Sequence, residues 1–152
     1  MGLDMYLEKK TYIGAHYEHR NVKAKIDITV GDKVVVIDPK KVSEIIEMAG
    51  YWRKANQIRE WFDKHLEGGC QNCTEKPVSK EMLENLIKDC EAVLNNKSLA
   101  EEALPTASGF FFGSTEYDVF YFNDLKDTIE GLKTVINNTD WDTEEIVYDE
   151  WW

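Results

Sequence analysis

The stretch Leu3-Asp4-Met5-Tyr6-Leu7-Glu8 alternates apolar side chains with more polar ones. A period of two residues is typical of a β-strand with one buried face. Further along, a second strand is predicted over 22–30, and a turn at Gly31-Asp32 leads into the β-branched run 34–37. The N-terminal part of the chain is therefore predicted to contribute strands, the last two of them joined as a hairpin.

A helical region is predicted to begin at Asp38-Pro39 and to end near Leu66. Aspartate accepts hydrogen bonds from the free N–H groups at a helix start, and proline suits the first helical position. Gly50 marks a kink or a break between two helices, because glycine weakens a helix interior. The apolar stripe that supports this prediction consists of Val42, Ile45, Ile46, Ala49, Trp52, Ala55, Ile58 and Phe62.

Two later helices have clearer patterns. Ser79 is a good N-cap for a predicted helix over 79–95, which has a continuous apolar stripe. A similar pattern predicts a helix over 117–137, and the alternation over 146–148 indicates a last strand. The order of elements predicts an α+β fold in a single domain, 1–152, with three to four helices packed on a small, mainly antiparallel sheet formed by the N-terminal strands and the late strand.

The composition indicates a globular chain of 152 residues, since 43% of them are hydrophobic. Disordered chains contain fewer apolar residues. No apolar run is long enough for a transmembrane helix, and Asp4 interrupts the N-terminus where a signal peptide would need an apolar segment. We therefore expect a cytoplasmic protein that does not enter a membrane.

Charge is distributed unevenly along the chain. Residues 1–65 carry 12 Lys and Arg against 10 Asp and Glu, a net of +2, whereas residues 66–152 carry 6 against 19, a net of −13. The total of −11 argues against general nucleic-acid binding, which needs a dominant basic surface. The acidic half is either a solvated surface or a face that docks on a basic protein or imitates DNA.

The segment 104–118, which we call the glycine–phenylalanine segment, is the most unusual part of the chain. Three consecutive phenylalanines lie between Gly109 and Gly113, and hydroxyl residues flank them on both sides. Glycine allows a backbone to approach a ligand closely, and hydroxyls both donate and accept hydrogen bonds. The candidate binding residues in this segment are Phe110, Phe111, Phe112, Gly113, Ser114, Thr115 and Tyr117.

A second group of candidates lies on the predicted helical region and consists of Trp52, Arg53, Asn56 and Arg59. At about 100° per residue, Trp52, Asn56 and Arg59 would share one side of a helix, with Arg53 beside them. Tryptophan offers a stacking face, asparagine a two-way amide, and arginine a fork for phosphate. Both groups together predict a pocket for a small anionic, nucleotide-like ligand. The alternative is that Trp52 belongs to the core, both arginines lie on the surface, and 110–112 is a buried strand.

A weaker candidate is a zinc site made from His65, Cys70, Cys73 and Cys90. The two thiolates of Cys70 and Cys73 have a spacing that can bind one tetrahedral ion. The other two ligands would come from His65 and Cys90, but Cys90 lies on an apolar helix stripe, where a cysteine behaves as a small hydrophobe. A redox pair and three ordinary thiols are the alternatives.

Three motifs together resemble a group of small proteins common in phages and prophages. They are the opening Met-Gly-Leu-Asp-Met-Tyr-Leu, the central Tyr51-Trp52-Arg53-Lys54-Ala55-Asn56, and Leu104-Pro105-Thr106 with the run from Gly109 to Asp118. The chain departs from this group at Arg59, where histidine is frequent, at the Cys70 loop and at the Trp-Trp end. The resemblance implies a phage accessory protein inside a bacterial cell, with counter-defence or host takeover as its role.

Three functions are compatible with these observations. The first is non-enzymatic sequestration of a nucleotide-like signal used in host defence. The second is inhibition of a host defence protein by the acidic half, with Trp141, Trp151 and Trp152 as anchors. The third is a nucleotide hydrolase that uses Glu116 or Asp118 as base or metal ligand; it ranks last because no catalytic or phosphate-loop motif is found. The apolar helix stripes would also permit a homo-oligomer, and no cofactor besides zinc is expected.

Overall fold

The computed structural model describes residues 2–14, 16–20 and 25–152. Within these ranges the strands are Asp4–Tyr12 (β1), Ile28–Val30 (β2), Lys33–Val35 (β3), Glu44–Arg53 (β4), Lys76–Val78 (β5) and Glu144–Trp151 (β6). The α-helices are Asn56–His65 (α1), Lys80–Asn95 (α2), Ala100–Ala103 (α3) and Val119–Asn138 (α4). None of these helices has the length and apolar character that a membrane span requires.

The first strand, β1, lies inside a four-stranded antiparallel sheet with the order β4-β1-β6-β5. The predicted alternation is confirmed, because Met5 and Leu7 are fully buried. Leu7 lies opposite Gly50 of β4 and Tyr148 of β6. The predicted hairpin is confirmed as the separate pair β2–β3, but its strands are shorter than predicted. Of the first strand predicted over 22–30, positions 25–27 are irregular and 22–24 lie outside the described residues, and the second strand is Lys33–Val35 instead of 34–37.

The inner face of the sheet packs against the helices around one hydrophobic core. Both later helices are confirmed, and each begins at a side-chain cap. The Ser79 Oγ accepts from the Met82 N–H (3.1 Å), and Asp118 accepts from two N–H groups, so that α4 begins at Val119. The buried side chains of these helices include Leu83, Leu86, Ile87, Cys90, Val93, Tyr121, Leu125, Leu132 and Val135.

The helix predicted from Asp38 onward is wrong as far as Arg53. Pro39–Lys41 forms a single 3₁₀ turn capped by Asp38, and Glu44–Arg53 is strand β4, paired with β1 along its whole length. Isoleucine, tyrosine and tryptophan favour strands, and pairing with β1 outweighs the apparent helical spacing. Gly50 is therefore no helix kink, since it lies against the Leu7 side chain. Only the last part of the prediction survives, as α1.

The α+β fold predicted from the sequence is confirmed, with helices on an antiparallel sheet of N-terminal and late strands. Asp4 lies opposite both Arg53 of β4 and Trp151 of β6. At the same end of the sheet, the Leu3 N–H donates to the Phe111 carbonyl (3.0 Å). The end of β4, the end of β6 and the glycine–phenylalanine segment therefore meet, and the candidate functional residues lie around this junction.

Candidate functional site

The glycine–phenylalanine segment is an irregular loop, so the buried strand considered for 110–112 is wrong. Phe110 is 96% exposed, whereas Phe111 and Phe112 are partly buried. The Phe112 ring packs edge-on against the Trp152 ring, with 5.8 Å between centroids. The three phenylalanines thus have different surroundings, and Phe110 presents almost its whole side chain to solvent.

Asn56 fixes this segment to the start of α1. Its buried amide donates from Nδ2 to the carbonyls of Phe112 (3.0 Å) and Ser114 (2.8 Å). Its Oδ1 accepts from the Ala107 N–H at 2.9 Å. A side-chain amide is suited to this position because it both donates and accepts. Asn56 therefore acts as a clamp on the loop, with its hydrogen bonds made inside the protein.

Hydrogen bonds of side-chain hydroxyl groups connect the two ends of the glycine–phenylalanine segment. The Tyr117 Oη accepts from the Thr106 N–H (3.2 Å), and the Thr106 Oγ1 donates to the Thr115 carbonyl (3.0 Å). The Tyr121 O–H donates to the Leu104 carbonyl at 2.7 Å, and burial raises the pKa of Tyr121. Thr115 and Tyr117 therefore shape the loop through internal contacts.

Gly113 brings the segment close to the end of β4. Its φ is +88°, a conformation that favours glycine. A Cβ at this position would lie 3.0 Å from the Lys54 Cβ and 3.3 Å from the Lys54 carbonyl oxygen. The absence of a side chain therefore allows Gly113 and Ser114 to approach Lys54.

Arg59 is engaged by a fully buried carboxylate. Its Nε and Nη2 lie 3.1 and 3.2 Å from the two carboxylate oxygens of Glu150, which forms a bidentate pair. The guanidinium also lies over the Phe112 ring, 5.2 Å from its centroid. Burial lowers the pKa of Arg59, but the hydrogen bond and charge of Glu150 outweigh that effect and raise it. Arg59 therefore connects α1, β6 and the glycine–phenylalanine segment.

Further donors complete the shell around Glu150. The Tyr148 O–H donates to Oε2 (2.9 Å) and the Trp152 Nε1–H donates to Oε1 (3.1 Å). The neighbouring Cys70 thiol is partly buried, and desolvation raises its pKa to about 12. Buried charges need this kind of complete hydrogen bonding. The cluster is thus a satisfied structural network.

Trp52 is a buried core residue, which is the alternative that the sequence left open. It lies at the end of β4, and its Nε1–H donates to the Thr128 Oγ1 of α4 at 2.8 Å. The shared helix side expected for Trp52, Asn56 and Arg59 is therefore wrong, because Trp52 and Arg53 belong to a strand and the other two to α1. What the structure does bring together is Asn56, Arg59 and the glycine–phenylalanine segment.

A cleft of about 290 Å³ remains beside this framework. Three of the predicted binding residues, Arg53, Gly113 and Ser114, line it. Phe120 also lines the cleft and is 73% exposed. Its other lining residues are Lys54, Gln57, Glu116, Asp118, Tyr121 and Asp124. The cleft thus combines two cationic side chains, three carboxylates and an accessible aromatic ring.

The polar groups of the cleft have defined partners. The buried Gln57 amide donates from Nε2 to the Asp124 Oδ2 (3.0 Å), and desolvation raises the pKa of Asp124. The Asp118 Oδ1 accepts from the N–H groups of Phe120 (2.9 Å) and Tyr121 (3.1 Å) as the cap of α4. Arg53 has its Nη1 3.9 Å from the Asp4 carboxylate, and 58% of its side chain is exposed. Arg53 and the neighbouring Lys54 are therefore the accessible cations of this cleft.

Sequence reasoning missed five lining residues of this cleft, which are Lys54, Gln57, Phe120, Tyr121 and Asp124. Lys54 lies within the Tyr51-to-Asn56 motif, and its place next to Arg53 was the available signal. Gln57 and Asp124 are separated by 67 positions and meet only because the fold places the start of α1 near α4. Nothing in the sequence pattern links these two residues, so their contact required the structure.

The four zinc candidates are not arranged as a metal site. Within the described ranges, no group of three His, Cys, Asp or Glu side chains could hold a metal ion. Cys90 is fully buried in α2, and its burial raises its pKa to about 12. Cys73 is exposed, and the His65 ring stacks on Trp61 with 3.8 Å between centroids. Cys90 thus behaves as the small hydrophobe considered as its alternative.

A larger open groove of about 780 Å³ lies on the acidic half, between β5, the start of α2 and the turn before β6. Its apolar lining includes Val78, Met82 and Trp141. The charged lining side chains are Glu67, Lys76, Glu144 and Glu145. Trp141 donates from Nε1 to the Ile136 carbonyl (3.2 Å), which fixes its ring at the groove.

Comparison with protein-family models, with curated proteins and with solved structures finds no match to this chain. The interpretation of the cleft and the groove therefore depends on their own geometry and chemistry.

Proposed function

We propose that this protein binds a small nucleotide-like ligand in the cleft lined by Arg53, Lys54 and Phe120 and releases it unchanged. The observation that carries the proposal is the combination of two accessible cations with an exposed ring and hydrogen-bonding carboxylates in one cleft. Arginine and lysine bind phosphate, and an aromatic face stacks on a base. Carboxylates accept from the amino groups of a base.

The size and charge of the cleft narrow the ligand further. A volume of about 290 Å³ lies at the small end of ligand pockets and favours a mononucleotide unit. The cleft is lined by two cationic side chains and three carboxylates. A ligand that carries only negative charge, such as inorganic phosphate, would be repelled by these carboxylates. A ligand with phosphate at one end and N–H donors at the other matches this mixture better than inorganic phosphate does.

Binding is favoured over hydrolysis because Asp118 already has a structural task. Its carboxylate caps α4 through two backbone N–H groups, which lowers its availability as a general base. The resemblance to phage proteins supports the bacterial setting, in which a sequestering protein would remove a nucleotide signal of host defence. This role is the non-enzymatic one expected from the sequence, moved to a cleft that shares Arg53, Gly113 and Ser114 with the predicted site.

Calorimetric titration with mononucleotides and cyclic nucleotides tests the proposal. We expect Arg53→Ala and Lys54→Ala each to weaken binding about tenfold or more, since a charge-assisted hydrogen bond contributes more than about 1.4 kcal/mol. Lys88→Ala is the matched control, because Lys88 is an exposed lysine on α2 outside the cleft. Equal affinities for the wild type and both cleft variants would refute this site.

A second candidate function is inhibition of a host protein, and the acidic groove specifically favours it. Three glutamates surround an apolar floor that includes Trp141, which fits a basic and apolar segment of a partner protein. A labelled peptide that alternates lysine and leucine should bind, and added salt should weaken it. Glu67→Lys with Glu145→Lys should abolish this binding, whereas Glu101→Lys with Glu102→Lys on α3 should not. If peptide binding changes neither with added salt nor in the Glu67→Lys with Glu145→Lys variant, this candidate function is ruled out.

A further inference from the structure

The strand β4 forms a long, open edge of the sheet. It spans Glu44–Arg53, and within the described residues β1 is the strand that pairs with it. Ile46 and Met48 on this edge are 52% and 68% exposed. An edge strand with free N–H and C=O groups and exposed apolar side chains is a template for pairing with another strand.

The opposite edge of the sheet is protected in a way that β4 is not. Strand β5 has three residues, Lys76–Val78, and its central residue is Pro77. A short edge with a proline is a common device against pairing, because proline lacks a donor. No proline lies in β4, and its ten residues leave its outer edge long enough for a stable ladder.

A bulge gives β4 an unusual division of its side chains between the two faces. Leu7 lies opposite Gly50 but Glu8 lies opposite Met48, so that Ala49 is the extra residue. Before the bulge, Glu44, Ile46 and Met48 share the outer face of the sheet, opposite the face of the buried Met5 and Leu7. After the bulge, Tyr51 and Arg53 lie on that same face, which the contact of Tyr51 with the outward Asp4 confirms.

This division makes β4 complementary to itself. In an antiparallel pair, residues directly opposite each other lie on the same face. A register with Glu44 opposite Arg53 also places Ile46 opposite Tyr51, and the bulge puts both pairs on the outer face. In a strand without the bulge, Ile46 and Tyr51 would lie on opposite faces, and this register could not form.

We propose that a second copy of this chain pairs with β4 about a two-fold axis, so that two sheets join into one. Each Glu44 carboxylate meets the Arg53 guanidinium of the other copy, and each Ile46 meets a Tyr51 ring. Two-fold symmetry repeats both contacts, which is the arrangement of an isologous dimer. Opposite charges and aromatic–aliphatic pairs across strands both stabilise such a ladder.

This dimer is compatible with ligand binding in the cleft. The Arg53 guanidinium has five N–H donors, so a contact with one carboxylate leaves donors for a ligand.

Gly131 of α4, which lines a small cavity under β4, has nothing within 4 Å of a Cβ built on it. The helix therefore leaves space at this position below the joined edges.

Light scattering during size-exclusion chromatography tests the dimer directly. We expect twice the chain mass of 17.7 kDa for the wild type at about 0.15 M salt, where the repulsion between two acidic chains is screened. Ile46→Lys should give the mass of one chain, because lysine on an edge opposes pairing. Val36→Lys, which replaces a valine that is 94% exposed and lies outside β4, should stay dimeric. A wild type that elutes with the mass of one chain at all concentrations would overturn the proposal.

A cross-link tests the register. Ile46→Cys combined with Tyr51→Cys, in a Cys73→Ser background, should form a covalent dimer on mild oxidation, because facing residues bring their Cβ atoms within about 5.5 Å. The single Ile46→Cys variant is the control and should not cross-link, since its partner position is Tyr51. A covalent dimer from the single variant, or none from the double variant, would contradict the register.

Nucleotide binding by Ile46→Lys should match the wild type, so the dimer and the ligand cleft can be refuted separately.

Discussion

Arg59→Met is expected to lower the free energy of unfolding by about 3 to 5 kcal/mol. The substitution removes the bidentate partner of Glu150, whose side chain is fully buried, and leaves that charge without a cation. The remaining donors, Tyr148 and Trp152, are neutral and cannot replace the guanidinium. Urea unfolding followed by tryptophan fluorescence measures the loss.

The double variant Arg59→Met with Glu150→Gln separates the ion pair from simple loss of packing. When both charges are removed together, no unpaired charge remains, and most of the stability should return. Arg59→Lys should fall between the wild type and Arg59→Met, because lysine keeps the charge and lacks the fork. A double variant as unstable as Arg59→Met would show that the Arg59 side chain stabilises the fold by packing on Phe112 instead.

Asn56→Ala is expected to cost about 3 kcal/mol and to release the glycine–phenylalanine segment. Three hydrogen bonds disappear, to Ala107, Phe112 and Ser114, and each contributes about 1 kcal/mol. Because these bonds connect the loop to α1, its peptide bonds should become sensitive to protease before the rest of the fold. Limited proteolysis with mass mapping measures this, together with thermal unfolding.

The exposed Asn123 of α4 provides a matched control for this change. Asn123→Ala should leave both the stability and the protease pattern unchanged, because its side chain faces solvent. Asn56→Ala should also weaken nucleotide binding, since Gly113 and Ser114 line the proposed cleft. If the loop of Asn56→Ala stayed resistant to protease, the role of Asn56 as a clamp would be wrong.

Much of the fold could be predicted because local signals agreed with tertiary structure. The alternation at Met5 and Leu7 marked a half-buried strand, and the Ser79 cap marked the start of α2. β4 was missed because Ile45, Ile46 and Ala49 also fit a helical stripe when read without a pairing partner. The bulge at Ala49 disturbs the period of two, so the strand signal was weakened where it was needed.

That the two groups of candidate residues lie near each other was expected from the sequence, whereas the contacts of each side chain could not be predicted. The glycine–phenylalanine segment and the motif around Arg53 do meet, and Arg53, Gly113 and Ser114 share a cleft. The sequence could not show that Arg59 forms an ion pair with Glu150, which lies 91 positions away and is fully buried. Residue type indicates what a side chain can bind, whereas the fold decides which of those groups are still available.

Native mass spectrometry of the protein, purified from bacterial cells and then mixed with a panel of nucleotides, tests the central claim most directly. We expect a mass increment that matches one intact nucleotide per chain and a ligand that is recovered unchanged after denaturation. Recovery of a hydrolysed product would favour a nucleotide hydrolase over a sequestering protein. A protein that carries no ligand and takes up none of the nucleotides would contradict the proposed function of the cleft.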